Sequence, residues 1–458
     1  VELGDSMNFK GMKTLVCGIA RSGVAAANLL CDEGAIVSIS DIKPMDKLKE
    51  EISNIKYDIT IITGKNPDLD DTVLKQDMLV LSPGIPTGLA YIEKAKSAGI
   101  PVIGEFELAS RFCKAQILAI TGTNGKTTTT SMLYEIMKAH NPLSEVVGNI
   151  GTAFSERVKN INEKAFCVAE VSSFQLESIE RFKPKVSAIL NFSEDHLDRH
   201  GSFRNYVNVK ARIFENQDES DFLVLNYDDI ECKELTKRAK AKVLYFSRKD
   251  FNINGVFLKG DTFYLNINGE AKYLLKTADL TVTGTHNYEN AMAAIAMAHV
   301  MNVPVEIIVA SIKKFAGVAH RMEYVRTLNG VVYYNDSKGT NIESAIKAIE
   351  AIDKPIFLIG GGCDKGADFS LWVKSFESKV KKLYIIGAVS DILEEACQKQ
   401  GFYNYEKIKT FEEAVKKAST ETKSGEVVLL SPACASWDMF ESYEHRGDLF
   451  KKIVNELK

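Results

Sequence analysis

Lys126 and the threonines after it are the residues best placed to do chemistry, because two glycines precede them at short spacing. The stretch reads Thr121-Gly122-Thr123-Asn124-Gly125-Lys126-Thr127-Thr128. Gly122 and Gly125 let a backbone come close to a polyphosphate, and its successive N–H groups can face one point. Lys126 would then reach the β- and γ-phosphates, and the Thr127 hydroxyl would serve Mg²⁺. The general pattern places its first glycine five residues before the Gly of Gly-Lys. That position is Ile120 here, so the loop is a shortened variant. An ordinary glycine turn with a chance Lys-Thr pair is the competing reading.

Such a loop works only between a strand and a helix. The apolar run Gln116 to Ile120 has strand character, and Ser131 to Lys138 has helix character. The helix N-terminus would add its partial positive charge to the loop. A second glycine turn lies upstream, in Val16-Cys17-Gly18-Ile19-Ala20-Arg21-Ser22-Gly23. It follows a strand and precedes a helix from Val24 to Cys31, and the next strand, Ala35 to Ser40, ends at Asp41. An acidic residue about 20 positions on is the dinucleotide fingerprint, but Ala20 replaces its middle glycine. Nicotinamide dinucleotide, another nucleotide diphosphate and a purely structural turn all remain open for it.

The 458 residues exceed one core, and two to four domains are expected. Hydrophobic content of 45% and charged content of 26% are those of globular chains. A net charge of −4 with no long basic run argues against a nucleic-acid surface. No apolar run approaches the roughly 20 residues of a membrane span, and no apolar signal region opens the chain, so a cytoplasmic protein is expected. The eight cysteines include no Cys-x-x-Cys pair and read as small core residues in a reducing compartment.

Further along, strand-like runs repeatedly end in polar groups. Met78 to Leu81 runs into Ser82-Pro83-Gly84-Ile85-Pro86, and Ile100 to Gly104 is expected to be a domain joint. Phe166 to Val171 carries Glu170; Ser187 to Asn191 precedes Glu194-Asp195-His196-Leu197-Asp198; Phe222 to Asn226 precedes two aspartates. Open α/β sheets bind ligands at such strand ends. Residues 251–283 read as β-hairpins, and 291–301 as a buried Ala/Met-rich helix. From about Gly317 a further α/β unit begins, with polar loops Asn335 to Thr340, Gly360 to Lys365 and Ser431 to Ser436. The residues alone thus predict an ATP-using α/β protein whose other substrates meet the γ-phosphate.

The chain resembles the Mur ligases and folylpolyglutamate synthetases, whose ATP loop has the same shortened spacing. Gly148-Asn149-Ile150-Gly151, Glu170 to Glu177, Glu194 to Asp198, His286 to Asn290, His320-Arg321 and Asn335-Asp336-Ser337-Lys338 also match, in the family's order. The matches run from Gly18 to Gly447. Ser431 to Phe440 followed by Arg446-Gly447 is similar to the D-glutamate-adding branch, and the Asp-Asn-Pro-Arg motif of the diaminopimelate- or lysine-adding branch is absent.

The resemblance implies three α/β domains: a Rossmann-like UDP-substrate domain over 1–104, a central P-loop ATPase-like domain over 105–317, and a Rossmann-like amino-acid domain over 318–458. It implies ATP-driven amide formation through an acyl phosphate, joining D-glutamate to UDP-N-acetylmuramoyl-L-alanine in peptidoglycan precursor synthesis by a monomer that binds neither nucleic acid nor membrane. Gly122, Thr123, Asn124, Gly125, Lys126, Thr127 and Thr128 would bind ATP. Asn287 and Asn290 would contact adenine or ribose, unless they only cap their helix. Arg321 would reach the γ-phosphate on domain closure, or form an interdomain ion pair. Lys126, Asn149, His196 and Lys210 would be catalytic. Two Mg²⁺ ions would be held by Thr127, Glu170, His196 and Lys210; Glu170 could instead be a salt-bridged strand end, and His196 a loop cap. Lys210, in the Tyr206-x-x-x-Lys210 pattern, would carry a carbamate, since a cation site needs anionic oxygen that an ammonium cannot supply; an unmodified lysine paired with Glu215 is the alternative. Lys338, Thr340, Lys365, Ser436 and Tyr443 would bind D-glutamate, and Ser22, Asp41, Lys43 and Gly84 the UDP moiety.

Three rivals stand beside this reading: a nicotinamide-dependent oxidoreductase built on the Gly18 turn, a nucleotide-gated binding protein without catalysis, and an L-alanine-adding member of the same family.

Overall fold

The computed structural model describes residues 8–150, 152–249, 251–363, 368–376 and 378–458, with backbone alone at Asp198 and Glu343. Among these residues the strands form three sheets of five, nine and six strands. The chain divides into two compact units, one through Phe315 and one from Ala316. No described helix is long and apolar enough to cross a membrane.

The first sheet comprises β1 (Lys13–Cys17), β2 (Ile36–Asp41), β3 (Thr60–Thr63), β4 (Met78–Leu81) and β5 (Val102–Gly104). Their order is β3-β2-β1-β4-β5 and every pairing is parallel. The strand order therefore reverses between β1 and β4, which places a ligand crevice outside their carboxyl ends. The helix Arg21–Asp32 starts as soon as β1 ends, and Gly23 makes that possible: a Cβ there would lie 1.9 Å from the Gly18 carbonyl oxygen. The expected joint at Ile100 to Gly104 contains the last strand of this sheet. Its residues pair with β4, and the chain passes directly into the helix Glu105–Phe112.

The second sheet holds β6 (Gln116–Thr121), β7 (Glu145–Gly148), β8 (Phe166–Glu170), β9 (Val186–Ile189), β10 (Phe222–Asn226), β11 (Lys242–Ser247), β12 (Gly255–Lys259), β13 (Thr262–Ile267) and β14 (Glu270–Lys276). Its order is β14-β13-β12-β11-β10-β9-β6-β8-β7. The strands β7 through β11 and β6 run parallel, whereas β12, β13 and β14 form the expected antiparallel hairpins. The Ala/Met helix begins earlier than its composition suggests, at Thr285, and runs to Val300. Small side chains on it allow close packing against the helix Lys126–His140, and both are buried along that face.

The second unit carries β15 (Glu323–Leu328), β16 (Val331–Asn335), β17 (Ile356–Gly361), β18 (Val380–Ile386), β19 (Tyr405–Lys407) and β20 (Val427–Leu430), in the order β15-β16-β20-β17-β18-β19. Only β15 pairs antiparallel. The buried faces of β16, β17, β18 and β20 pack under helices on both sides, as the apolar runs require.

A carboxylate locks the first sheet's exit helix to the second sheet. Glu107 is fully buried. Its oxygens accept from the backbone N–H groups of Glu180, Arg181 and Phe182, each at 3.0 Å, and from Arg111 Nε at 2.7 Å. A buried charge so surrounded is stable, but it becomes costly if any of its donors has to face an amide N–H₂ instead. Glu107→Gln should lower the stability of this unit by roughly 3 kcal/mol, read as a shift in the urea midpoint; an unchanged midpoint would show that the carboxylate is dispensable.

Candidate active site

The site in the first unit grows from the carboxyl ends of β6, β7, β8 and β9. Register places Ile120, Glu170 and Gly148 side by side on adjacent strands. The chain leaves β6 with Gly122 at φ 149° and enters the helix through Gly125 at φ 83°, left-handed backbone that a side chain would strain. Gly125 also has no room: a Cβ would lie 2.2 Å from Asn290 Oδ1.

The loop is held from outside. Asn191, immediately after β9, receives the Asn124 N–H on Oδ1 at 2.8 Å and donates Nδ2 to the Asn124 carbonyl at 3.1 Å. Thr123 Oγ1 lies 3.1 Å from the Tyr206 hydroxyl and 3.2 Å from the Ser193 carbonyl. Asn191 went unassigned in the sequence; its only signal was a polar residue closing an apolar run. Thr127 and Thr128 are buried in the first helical turn.

Two lysines meet at one carbonyl. Lys126 Nζ donates to the Gly122 oxygen at 2.9 Å and to the Thr123 oxygen at 2.7 Å, so the loop wraps its own cation. Lys210 Nζ, from the helix Phe203–Ala211, donates to the same Gly122 oxygen at 2.9 Å. Lys210 is buried, and burial together with the Lys126 charge holds its pKa well below the usual lysine range, against the pull of Asp195 and Glu170. Glu215, the alternative partner, pairs with Arg212 instead.

Glu170 ends β8 almost fully buried. Its Oε1 accepts from Asn149 Nδ2 at 2.8 Å, while its Oε2 is a buried oxygen without a hydrogen-bond partner. Asn149 reaches it because β7 ends on Gly148, where a Cβ would lie 2.2 Å from the Glu170 carbonyl oxygen. An orphaned, buried carboxylate oxygen suits a hard cation. Among the described residues no three His, Cys, Asp or Glu side chains converge, so any ion there needs hydroxyl, amide-derived or phosphate oxygen as well. Gly151 lies outside the described residues. His196 adopts φ 51°, with Nε2 3.6 Å from Asp195 Oδ2 and its ring 4.8 Å from that of Phe174. Asn290 is buried and its Oδ1 accepts from Thr129 at 3.1 Å; Asn287 Nδ2 donates to the Thr283 carbonyl at 2.8 Å.

At the first sheet, Asp41 accepts from the Ile19 N–H at 2.8 Å and from the Lys43 N–H at 2.9 Å, pinning the Gly18 turn. Ser82 Oγ donates to the Gly18 carbonyl at 3.0 Å, so the β1 and β4 loops adjoin. Gly84 is exposed on the β4 loop, and Ser22 is half-buried at the helix start.

In the second unit the loops after β16, β17 and β20 converge. Arg446 is fully buried; its guanidinium donates to Ser337 Oγ at 2.9 Å, the Ser337 carbonyl at 2.8 Å and the Cys434 carbonyl at 3.2 Å. Burial brings its pKa down to about 10. The Ser337 hydroxyl donates to the Tyr443 carbonyl at 2.8 Å. Lys338 Nζ lies 5.5 Å from the Tyr443 ring centre. Thr340 is half-buried on the same loop, and Ser436 is buried with its carbonyl accepting from Met439 and Phe440. Arg321 sits between left-handed His320 and Met322, and its Nε is buried without a partner. Lys365 lies outside the described residues.

Asp336, missed as a site residue, is fully buried; it accepts from Ser431 Oγ at 2.7 Å and from the Met322 N–H at 3.2 Å. Burial pushes its carboxyl up to about 6, although Arg321 pulls it down. A folded pKa above the ordinary value near 4 means that the folded chain holds the proton more tightly than the unfolded one. The stability this contributes is full at low pH and is lost as pH rises from about 4 through about 6, roughly 3 kcal/mol in total. Asp336→Asn should flatten this fall, measured by urea midpoints at pH 4.5 and 7; an unaltered pH slope would reject the assignment.

Three family models match this chain: the Mur ligase MurD-like N-terminal domain over residues 12–104, the Mur ligase middle domain over 120–298, and the Mur ligase glutamate ligase domain over 320–434. A UDP-N-acetylmuramoylalanine–D-glutamate ligase from Thermoanaerobacter pseudethanolicus is 46% identical over 457 residues, covering 99% of this chain and 100% of that one. The enzyme of the same name from Clostridioides difficile is 46% identical over 456 residues, with 99% and 100% covered. Among solved structures, the UDP-N-acetylmuramate-alanine ligase MurC of Thermotoga maritima shares the fold at a TM-score of 0.60 and 18% identity, covering 98% of this chain and all of that one. A pseudomurein peptide ligase type C from Methanothermus fervidus does so at 0.58 and 20%, with 98% and 100% covered. With matches to all three domains, and relatives alike from end to end, the chain belongs to the Mur ligase family.

Proposed function

We propose that this chain is a cytoplasmic ATP-dependent ligase that adds D-glutamate to UDP-N-acetylmuramoyl-L-alanine, a step of peptidoglycan precursor synthesis. The observation that carries the reading is the 46% identity, across 99% of this chain, to enzymes named for that reaction. In this reaction the alanine carboxylate attacks the γ-phosphorus of ATP, forming an O–P bond as ADP leaves. The D-glutamate amine then attacks the acyl carbon, phosphate departs, and the amine loses a proton.

The first step brings like charges together, so cationic and hydrogen-bonding groups must gather where they meet. Lys126 supplies one: it leaves the Gly122 and Thr123 carbonyls to take phosphate oxygens, and the N–H groups of residues 122–128 cradle the chain of phosphates. Mg²⁺, when bound, neutralises phosphate charge; Thr127, Glu170 Oε2 and His196 would hold it. Asn149, fixed on Glu170, keeps that carboxylate aimed and is a donor beside the reacting carboxylate. Asn287 stands at the nucleoside end, with Asn290 as its brace against the loop. In the second unit Lys338, Thr340, Lys365, Ser436 and the Tyr443 segment take the two carboxylates of D-glutamate, on a frame set by Arg446. Arg321, with its free Nε, is assigned to phosphate. Ser22, Asp41, Lys43 and Gly84 border the switch point of the first sheet and take the UDP moiety.

Lys210 is assigned a carbamate. Its amine must be neutral to add CO₂, which forms an N–C bond and releases a proton. Burial holds the Lys210 pKa well below the usual lysine range, which favours that neutral amine. The product replaces an amine by anionic oxygen, the ligand type that Mg²⁺ takes.

Phosphate release with UDP-N-acetylmuramoyl-L-alanine should appear with D-glutamate and fall at least about a hundredfold with L-alanine or L-lysine, which lack the second carboxylate and leave its donors unpaired, and with L-glutamate, whose opposite hand cannot set the amine and both carboxylates in place together. Equal rates with L-alanine would move the chain to another branch of the family. Lys210→Ala should lose at least about a thousandfold in kcat and recover part of it with short free carboxylic acids, whereas Lys210→Arg should stay inactive. Full activity of the arginine variant would overturn the carbamate.

A further inference from the structure

We infer that Arg199 is a positioning residue that clamps the β4 loop, at the switch point of the first sheet, to the turn that carries His196. The inference rests on the reading of that loop as part of the UDP-substrate site.

Arg199 lies three residues after His196, and its N–H donates to the His196 carbonyl at 3.1 Å. Its guanidinium spends its donors on two separate parts of the chain. Nε and one terminal nitrogen grip the Glu177 carboxylate, at 3.0 and 2.6 Å. The same face reaches across to the first sheet: one terminal nitrogen lies 3.1 Å from the Ile85 carbonyl, the other 3.3 Å from the Gly84 carbonyl. The guanidinium carbon stands 4.3 Å from the centre of the Phe174 ring, and the same ring lies 4.8 Å from the His196 ring. Side-chain exposure is 14% for Arg199 and 10% for Glu177, so water competes weakly for these bonds.

The arrangement needs the arginine fork. A planar group with five fixed donors can hold a carboxylate in two-pronged fashion while two carbonyls are bound and a ring is stacked; an ammonium is a single point. Glu177 is braced in turn, with His200 Nδ1 3.5 Å from its Oε1 and His200 Nε2 3.1 Å from Ser173 Oγ. His200 is buried between the Phe174 and Tyr206 rings, and burial lowers its pKa, which favours a neutral ring able to accept the Ser173 proton. The Tyr206 hydroxyl meets Thr123 of the phosphate loop. One continuous set of contacts therefore runs from the Gly84–Ile85 carbonyls, through Arg199, Glu177 and His200, to the wall of the phosphate loop. Its consequence is that the loop receiving the nucleotide substrate is set in register with the groups that activate its carboxylate.

The test compares wild type, Arg199→Ala and Arg199→Lys by steady-state phosphate release, together with hydrogen exchange at residues 84–85 of the ligand-free protein. The KM for UDP-N-acetylmuramoyl-L-alanine should rise about tenfold or more in Arg199→Ala and by a smaller factor in Arg199→Lys, with the KM values for ATP and D-glutamate within about twofold of wild type. Exchange at residues 84–85 should quicken in both variants. An unchanged KM for the UDP substrate in Arg199→Lys, or an equal rise in all three KM values, would overturn the clamp. If Arg199→Ala does not fold, the lysine variant alone decides. A wild-type protein inactive with these substrates would defeat the functional reading, while exchange at residues 84–85 would still judge the clamp.

Discussion

A single carbonyl oxygen, that of Gly122, accepts hydrogen bonds from two lysines, and the rest of the site depends on that crowding. Two ammonium ions cannot share a buried neutral acceptor cheaply, since like charges at such distances repel strongly where water is scarce. The buried partner, Lys210, yields, its pKa pressed far below the usual range. Lys126 donates to the loop carbonyls of Gly122 and Thr123, neutral acceptors that a phosphate oxygen can replace. The surrounding polar groups then have clear work: Asn191 holds the loop open from one side, Tyr206 props Thr123 from another, and Glu170 leaves one oxygen unpartnered.

Close approach of backbones is the second recurrent device. Gly148 lets β7 end against Glu170, Gly125 lets the phosphate loop touch Asn290, and Gly23 lets a helix start against the first glycine turn. In each place a methyl group would strike an atom that cannot move without disturbing the site. Carboxylates finish the task where side chains must span gaps. Asp41 pins the first turn through two N–H groups, and Glu107 gathers three N–H groups and an arginine. Both are acceptors in places where backbone donors would otherwise be stranded.

The second unit solves a related problem with a buried cation. Arg446 ties the β16 loop to the β20 loop through Ser337 and Cys434, and the Ser337 hydroxyl reaches on to the start of the last helix. Asp336 and Arg321 oppose one another beside it, the first raised by burial and the second with a buried Nε left over. A buried guanidinium nitrogen without a hydrogen-bond partner is suited to an anionic ligand.

Local pattern was enough for much of this protein. Glycine spacing before Lys126, apolar runs ending in polar residues, and the alternating strand and helix periods are all properties of neighbouring residues, and they predicted the strand, glycine loop and helix at Lys126, three parallel-rich α/β sheets and the hairpins of 251–283. Short or weakly apolar strands such as Thr60–Thr63, Glu323–Leu328 and Tyr405–Lys407 were invisible, because an edge strand gains its hydrogen bonds from a partner far along the chain. What only the tertiary structure decided is which polar groups face one another. Lys210 meets Gly122 across 88 residues, Arg199 meets Gly84 across 115, and Arg446 meets Ser337 across 109. Charge neutrality and hydrogen-bond satisfaction are properties of a place in space, and no spacing along the chain encodes them until the sheets have closed.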